Sequence, residues 1–286
     1  MIYTNFEDMA NCIRKNLWKI PADVDLIVGV PRSGMMPALM ISEFLNKRVT
    51  DIDTFAEQRP IHIGRRGNYR RSGAENKVLV VDDTVYTGWA IENAKEQLKH
   101  LEDKYDIQYC CVYAEGKDAK EKVDIWLEDN SLLNGGKKYL YEWNIFQHVA
   151  NKGKWMMWDM DGLICKDPPN DENRAAYEAY LPNAVPMIIP SNHIGGICTY
   201  RLDKYRDVTK AWLQAHGVDY DELHMFPART REERNASKSP ARYKAEIYRA
   251  SKWAQLFLES EVGQAERIHK MSGKPVFCYE NGRMYE

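Results

Sequence analysis

Two places in this 286-residue chain set carboxylates beside hydroxyl-bearing and glycine residues in patterns that suit phosphate chemistry. In the first, Val78-Leu79-Val80-Val81 runs into Asp82-Asp83-Thr84-Val85-Tyr86-Thr87-Gly88. The pattern predicts an apolar strand, two adjacent carboxylates, a short turn and a helix beginning near Gly88. The first N–H groups of such a helix are unpaired and the positive end of its dipole faces outward, so a phosphate can sit in the turn. Two carboxylates beside that phosphate can accept hydrogen bonds from the vicinal hydroxyls of a ribose, and the stretch reads as a site for a ribose 5-phosphate. In the second place, the apolar run Lys154-Trp155-Met156-Met157-Trp158 ends in Asp159-Met160-Asp161-Gly162. Carboxylates two residues apart at the carboxyl end of a strand can share one Mg²⁺, with one attacking phosphorus and the other moving the proton.

Further segments extend both patterns. Asp25-Leu26-Ile27-Val28-Gly29-Val30 predicts a strand, and Pro31-Arg32-Ser33-Gly34 follows it before an apolar helix from Met35 to about Leu45. A glycine turn with a fixed cation suits a pyrophosphate. Residues 57–77 carry Arg59, Arg65, Arg66, Arg70, Arg71 and Lys77 among three glycines, which predicts a mobile basic loop able to close over a polyanion. In the second half, Ile194-Gly195-Gly196-Ile197-Cys198-Thr199 predicts a strand ending in a hydroxyl, followed by Tyr200-Arg201 and a helix capped by Asp203. Leu256-Phe257-Leu258-Glu259 predicts another strand ending in an acid, and Glu261 can cap a helix from about Val262 to Met271.

These residues need two frameworks to position them. The length favours two domains, residues 1–150 and 151–286, joined at the polar stretch Asn151-Lys152-Gly153-Lys154. Strand and helix signals alternate in both halves, with a helix from Gly88 to Leu101, strands at Ile107–Tyr113 and Val123–Leu127, and a helix from Asp203 to Gly217. The expected fold class is therefore α/β, two doubly wound domains, each with a mainly parallel sheet and with sites at the carboxyl ends of its strands.

The first half resembles the type I phosphoribosyltransferases, which use phosphoribosyl pyrophosphate (PRPP). The resemblance implies that Asp82 and Asp83 hold the ribose hydroxyls, that Thr84, Thr87 and Gly88 hold the 5-phosphate, and that Arg32, Ser33 and Gly34 hold the pyrophosphate. Arg65 and Arg66 would belong to the family's flexible lid. The family usually places a second Thr or Ser just past the glycine, where this chain has Trp89 and Ala90. Tyr141 and Trp143 fall where that family sets a hood over the base, although core packing explains them as well. The second half resembles haloacid dehalogenase-like phosphohydrolases. On that resemblance Asp159 is the nucleophile, Asp161 the general acid/base, Thr199 the phosphoryl-binding hydroxyl and Lys244 the charge-offsetting base, with Lys238 as second choice. Mg²⁺ would be the cofactor, bound by Asp159, Asp161 and Glu259, with Glu261 as the alternative acid.

With 40 basic and 42 acidic side chains and no metal-finger spacing, nucleic-acid binding is not favoured. Six scattered cysteines predict reduced, mostly buried thiols. No signal-peptide pattern and no apolar run of bilayer length is present, so a cytoplasmic protein without membrane contact is expected. The expected partners are PRPP, pyrophosphate and a nucleobase or nucleotide, and homodimers are common in both resembled families. The activity expected is base to nucleotide, then nucleotide to nucleoside. The alternatives are a PRPP- or nucleotide-sensing protein whose first domain binds without turnover, and a ribosyl-phosphate phosphatase whose first domain only selects its substrate.

Overall fold

The computed structural model describes residues 1–61, 76–131, 139–146, 155–169, 173–228, 230–237 and 239–286. It divides into two compact units, Ile2–Tyr139 and Leu140–Glu286 with Met1. The expected joint at residues 151–154 and most of the predicted basic loop, including Arg65 and Arg66, lie outside the described residues, as does Lys238.

In the first unit, a short strand β1 (Ile2–Thr4) precedes α1 (Phe6–Asn16). The start of α1 is closed by a reciprocal pair in which the Asp8 amide donates to Asn5 Oδ1 at 2.8 Å and the Asn5 amide to Asp8 Oδ2 at 3.0 Å. Next come β2 (Leu26–Gly29), α2 (Met35–Leu45), β3 (Arg48–Asp51), α3 (Ile52–Ala56), β4 (Lys77–Val85), α4 (Trp89–Leu98), β5 (Asp106–Ala114) and β6 (Ile125–Asp129). The five strands from β2 to β6 form one parallel sheet in the order β3-β2-β4-β5-β6. Its centre is apolar on both faces because helices cover both: Ile27, Val28, Leu79, Val80 and Val81 are all fully buried. Each such side chain contributes roughly 1.5–3 kcal/mol relative to exposure.

One boundary differs from expectation. The strand carrying Asp82 and Asp83 does not stop at the acids but runs on to Val85, because β5 is equally long and pairs with it as far as Val85 opposite Ala114. The two carboxylates therefore belong to the sheet, at 5% and 4% exposure.

The second unit opens inside β7 (Tyr139–Tyr141) and continues through β8 (Met156–Trp158), α5 (Arg174–Tyr180), β9 (Ile194–Leu202), α6 (Arg206–Ala215), β10 (Tyr220–Phe226), α7 (Arg231–Ser237), α8 (Pro240–Ala250), β11 (Leu256–Glu259), α9 (Val262–Ser272), β12 (Val276–Cys278) and β13 (Arg283–Tyr285). Its six-stranded sheet has the order β10-β9-β8-β11-β12-β13, parallel except for the last strand. Both sheets are thus mainly parallel and the architecture is α/β.

Three local expectations are corrected here. β9 continues past Thr199 to Leu202, since β10 pairs with it to that point. Asp203 does not cap α6; it lies in a preceding 3₁₀ turn, and its Oδ1 accepts from Arg206 Nε at 2.8 Å. Glu261 precedes α9 without a side-chain cap bond, and the Val262 amide donates instead to Glu280 Oε2 at 3.1 Å. All six cysteines are buried and free. Tyr141 is buried and stacks on Trp143 with ring centroids 4.7 Å apart, so packing accounts for both rings. Among the described residues no helix is long and apolar enough to cross a membrane.

Candidate active sites

One candidate site lies in the second unit. Asp159 follows β8 directly and is locked by its backbone, its N–H donating to Leu258 O of β11 at 2.9 Å. The chain then turns sharply: Met160 O accepts the amides of Leu163, Ile164 and Cys165 at 3.3, 2.9 and 3.1 Å. Gly162 makes this turn possible, with φ of 79° and a Cβ position 2.7 Å from Ser260 Cβ, where no side chain fits. Asp159 and Asp161 are thereby presented at the carboxyl edge of the sheet, lining a cavity of about 670 Å³ together with Thr199, Lys244 and Glu261.

Ion pairing inside this edge is dense. Lys244, on α8, places Nζ 2.8 Å from Asp159 Oδ2 and 2.8 Å from Glu259 Oε2, and all three residues are buried. Gln264 Oε1 accepts from the same ammonium at 3.2 Å. Burial works against the Lys244 charge, but Asp159 and Glu259 more than offset it and hold the ammonium above its ordinary pKa. Burial, then the negative charge of Glu259, push Asp159 well up. The other Glu259 oxygen, Oε1, accepts from the Ser260 and Glu261 amides at 2.9 and 3.3 Å.

Asp161 is held separately. Arg201 donates from Nε to Asp161 Oδ1 and Oδ2 at 3.1 and 3.0 Å and from Nη2 to Oδ1 at 2.6 Å, with the arginine only 1% exposed. Thr199 Oγ1 and Tyr180 Oη add donors at 3.4 Å each. Burial disfavours the guanidinium, yet Asp161 keeps its pKa raised.

Of the sequence-predicted residues, Asp159, Lys244 and Glu259 are brought together, and Asp161 and Thr199 meet beside them. The expected ligand set of Asp159, Asp161 and Glu259 is not assembled as a cluster, since an ammonium lies between two of its acids and a guanidinium covers the third. Among the described residues no group of three or more His, Cys, Asp or Glu side chains is arranged for a metal. Arg201 enters the sequence pattern only as part of Tyr200-Arg201, after the strand expected to end at Thr199. Its signal was a period-two step from Thr199, which puts both on one face of β9, and a charge inside an otherwise apolar strand. Ser260, Asp167 and Arg234 also line the cavity and carried no sequence signal. Burial, then Asp161, push Asp167 up.

In the first unit the β2–α2 connection meets β4. Ser33 Oγ donates to Asp83 Oδ1 at 2.9 Å, and the Asp83 amide to Asp82 Oδ1 at 2.9 Å. A Cβ on Gly34 would lie 2.6 Å from Val30 O and 2.7 Å from Val81 O, so this approach of two backbones admits only glycine. Arg32, Tyr86, Thr87 and Trp89 are exposed while Thr84 is half-buried. Gly88 has φ of 78°, and α4 starts without a side-chain cap. Lys122, 35 residues beyond Thr87, donates to Thr87 O and lays its aliphatic chain over Gly88. Burial, then Asp83, push Asp82 well up.

Glu115, which follows β5, is buried and pushed up to about 8 by burial and then by Asp83. The folded state therefore binds a proton that the unfolded chain releases above its ordinary value of 4.5. Stability is highest below that value and falls as pH rises toward 8, by on the order of 3–5 kcal/mol in full. Glu115→Gln should flatten the decline in urea-unfolding stability between pH 5 and pH 8; an unchanged slope would assign the decline to other groups.

Residues 2–133 match the family model of the phosphoribosyl transferase domain. The transcriptional regulator GfcR 2 of Methanosarcina acetivorans is 28% identical over 122 residues, covering 41% of this chain and 59% of the regulator. The chain thus spans less than two thirds of that relative's length. The xanthine-guanine-hypoxanthine phosphoribosyltransferase of Helicobacter pylori is 16% identical with a TM-score of 0.37, covering 50% of this chain and 92% of its own. A chain of the Pnkp1/Rnl/Hen1 complex is 13% identical with a TM-score of 0.33, covering 89% of this chain and 96% of its own.

Proposed function

We propose that the phosphoribosyltransferase domain over residues 2–133 transfers the ribosyl phosphate of PRPP to a nucleobase, and that the unit Leu140–Glu286 hydrolyses a phosphomonoester through Asp159. In the first reaction the ribose C1–oxygen bond to pyrophosphate breaks with the electron pair leaving on pyrophosphate. A base nitrogen bonds to C1 and its proton passes to solvent. Catalysis there rests on positioning and charge, with the Ser33–Asp83 hydrogen bond tying the β2–α2 connection to β4.

The observation that carries the second activity is the buried array of Asp159, Lys244 and Glu259 beside an Arg201-held Asp161 at the edge of one cavity. An Asp159 oxygen attacks phosphorus, the bond to the leaving oxygen breaks, and Asp161 gives that oxygen its proton. Water then attacks the aspartyl-phosphate, loses a proton to Asp161, and the bond to Asp159 breaks to release phosphate. Thr199 offers a hydroxyl to the phosphoryl group, and Arg201 fixes the direction in which Asp161 moves its proton. The acids of this site do not fit Mg²⁺ as they stand, because Lys244 lies between Asp159 and Glu259 and Arg201 covers Asp161.

Incubation of the full chain with Mg²⁺, PRPP and a panel of purine and pyrimidine bases, followed by mass spectrometry, should yield a nucleotide or nucleoside of one particular base. Nucleoside in place of nucleotide would place the two activities in series. A second reading, a PRPP-responsive regulator, is supported by Asp82 and Asp83 lying within β4 and by the regulator relative. PRPP bound but returned unconsumed with every base would favour it.

A further inference from the structure

We infer that the buried Lys244 ammonium takes, in the second unit's site, the place expected for a divalent cation, and that phosphomonoester hydrolysis there needs no metal ion. The inference rests on the phosphohydrolase reading of Asp159.

Every carboxylate oxygen of the expected ligand set already accepts from the protein. Asp159 Oδ1 accepts from the Met160 amide at 2.9 Å, and Oδ2 from Lys244 Nζ at 2.8 Å and Ser260 Oγ at 3.3 Å. Glu259 Oε2 takes the same ammonium at 2.8 Å, while Oε1 takes the Ser260 and Glu261 amides and Ser260 Oγ at 2.9, 3.3 and 3.2 Å. Both Asp161 oxygens accept from Arg201, and Thr199 Oγ1 approaches Oδ2 at 3.4 Å. A divalent cation needs carboxylate oxygens turned toward it. To gain these it must displace a cation from its acids, and Lys244 and Arg201 are both buried, with little water to screen the repulsion.

The two cations also stand where the reaction moves charge. When an Asp159 oxygen bonds to phosphorus, the Asp159 carboxylate charge is lost, and Lys244, 2.8 Å from it, is left to pair with the phosphoryl oxygens. The leaving oxygen takes the bonding pair and the Asp161 proton, so the negative charge reappears on Asp161 against Arg201. Lys244 can also turn toward the phosphoryl group. Its longest bond, 3.2 Å, goes to Gln264 Oε1 on the cavity wall, where a phosphoryl oxygen can replace the amide. Gln264 keeps its own hold through Nε2, which donates to Glu261 Oε2 at 2.8 Å. An ammonium fixed by Glu259 thus supplies the charge that a metal ion supplies elsewhere, without leaving its place.

The test measures p-nitrophenyl phosphate hydrolysis by the full chain in EDTA and in Mg²⁺, together with Mn²⁺ binding by electron paramagnetic resonance in wild type, Asp159→Asn and Lys244→Met. Wild-type kcat/KM in EDTA should lie within about twofold of its value in Mg²⁺. Mn²⁺ uptake should be the same in wild type and Asp159→Asn, whereas Lys244→Met, with two acids facing each other, should take up a further ion. A loss of about tenfold or more in EDTA that Mg²⁺ restores would overturn the inference alone. So would Mn²⁺ that wild type binds and Asp159→Asn does not, or a Lys244→Met chain that folds by circular dichroism and takes up no further Mn²⁺. Should Lys244→Met fail to fold, the EDTA comparison and the Asp159→Asn uptake decide. No hydrolysis by wild type under either condition would overturn the phosphohydrolase reading and the inference with it.

Discussion

Asp159→Asn should abolish phosphate release while leaving the first unit's product unchanged. An amide oxygen cannot form the aspartyl-phosphate, and loss of a nucleophile of this kind lowers kcat by roughly a thousandfold or more. The fold should survive, because Asn has nearly the same volume and Lys244 keeps Glu259 at 2.8 Å. The measurement is phosphate release from p-nitrophenyl phosphate, paired with mass-spectrometric detection of the nucleotide made from PRPP and its base. Residual phosphatase activity near wild type would remove Asp159 from the reaction. Loss of both activities would count against separate sites.

Lys244→Met should destabilise the second unit more than any surface change. The ammonium is the shared partner of two buried carboxylates, and its removal leaves Asp159 and Glu259 facing each other without a counter-charge. Breaking a buried pair on one side costs roughly 3–5 kcal/mol. The sign with pH follows from the acids. Asp159, already pushed up by burial and Glu259, would bind a proton in the folded variant more tightly than in the unfolded chain. The deficit should therefore shrink as the pH is lowered through the folded pKa toward that of the unfolded chain, and widen as it is raised. Urea unfolding of wild type, Lys244→Met and Lys244→Met with Glu259→Gln checks this. The double variant should recover part of the loss, and a single variant as stable as wild type would show that Lys244 offsets no buried charge.

Much of the framework was legible locally. β2, α2 and α9 fall within a residue or two of their predicted bounds, since each combines an apolar run with a turn of distinctive composition. Strand ends were less legible where a neighbour decides them. β4 and β9 both outrun their predicted limits because β5 and β10 supply hydrogen-bonding partners farther along. That extension took Asp82 and Asp83 from the predicted end of the strand into the sheet. It also left Thr199 inside a strand, with Arg201 one pleat beyond it on the same face.

By itself the sequence determined the alternation of strands and helices, the position of Asp159 and Asp161 at the end of an apolar strand, and the glycines where backbone must turn or approach closely. These depend on neighbouring residues and on steric limits that act within a few positions. Only the tertiary structure decided which charge meets which. Arg201 reaches Asp161 across 40 residues of chain, Lys244 reaches Glu259 across 15, and Ser260 reaches Asp159 across 101. Those pairings follow from the order β9-β8-β11 in the sheet and from α8 packing against it. Burial in that packing is what makes each pairing obligatory, because a charge withdrawn from water must find its partner inside the protein.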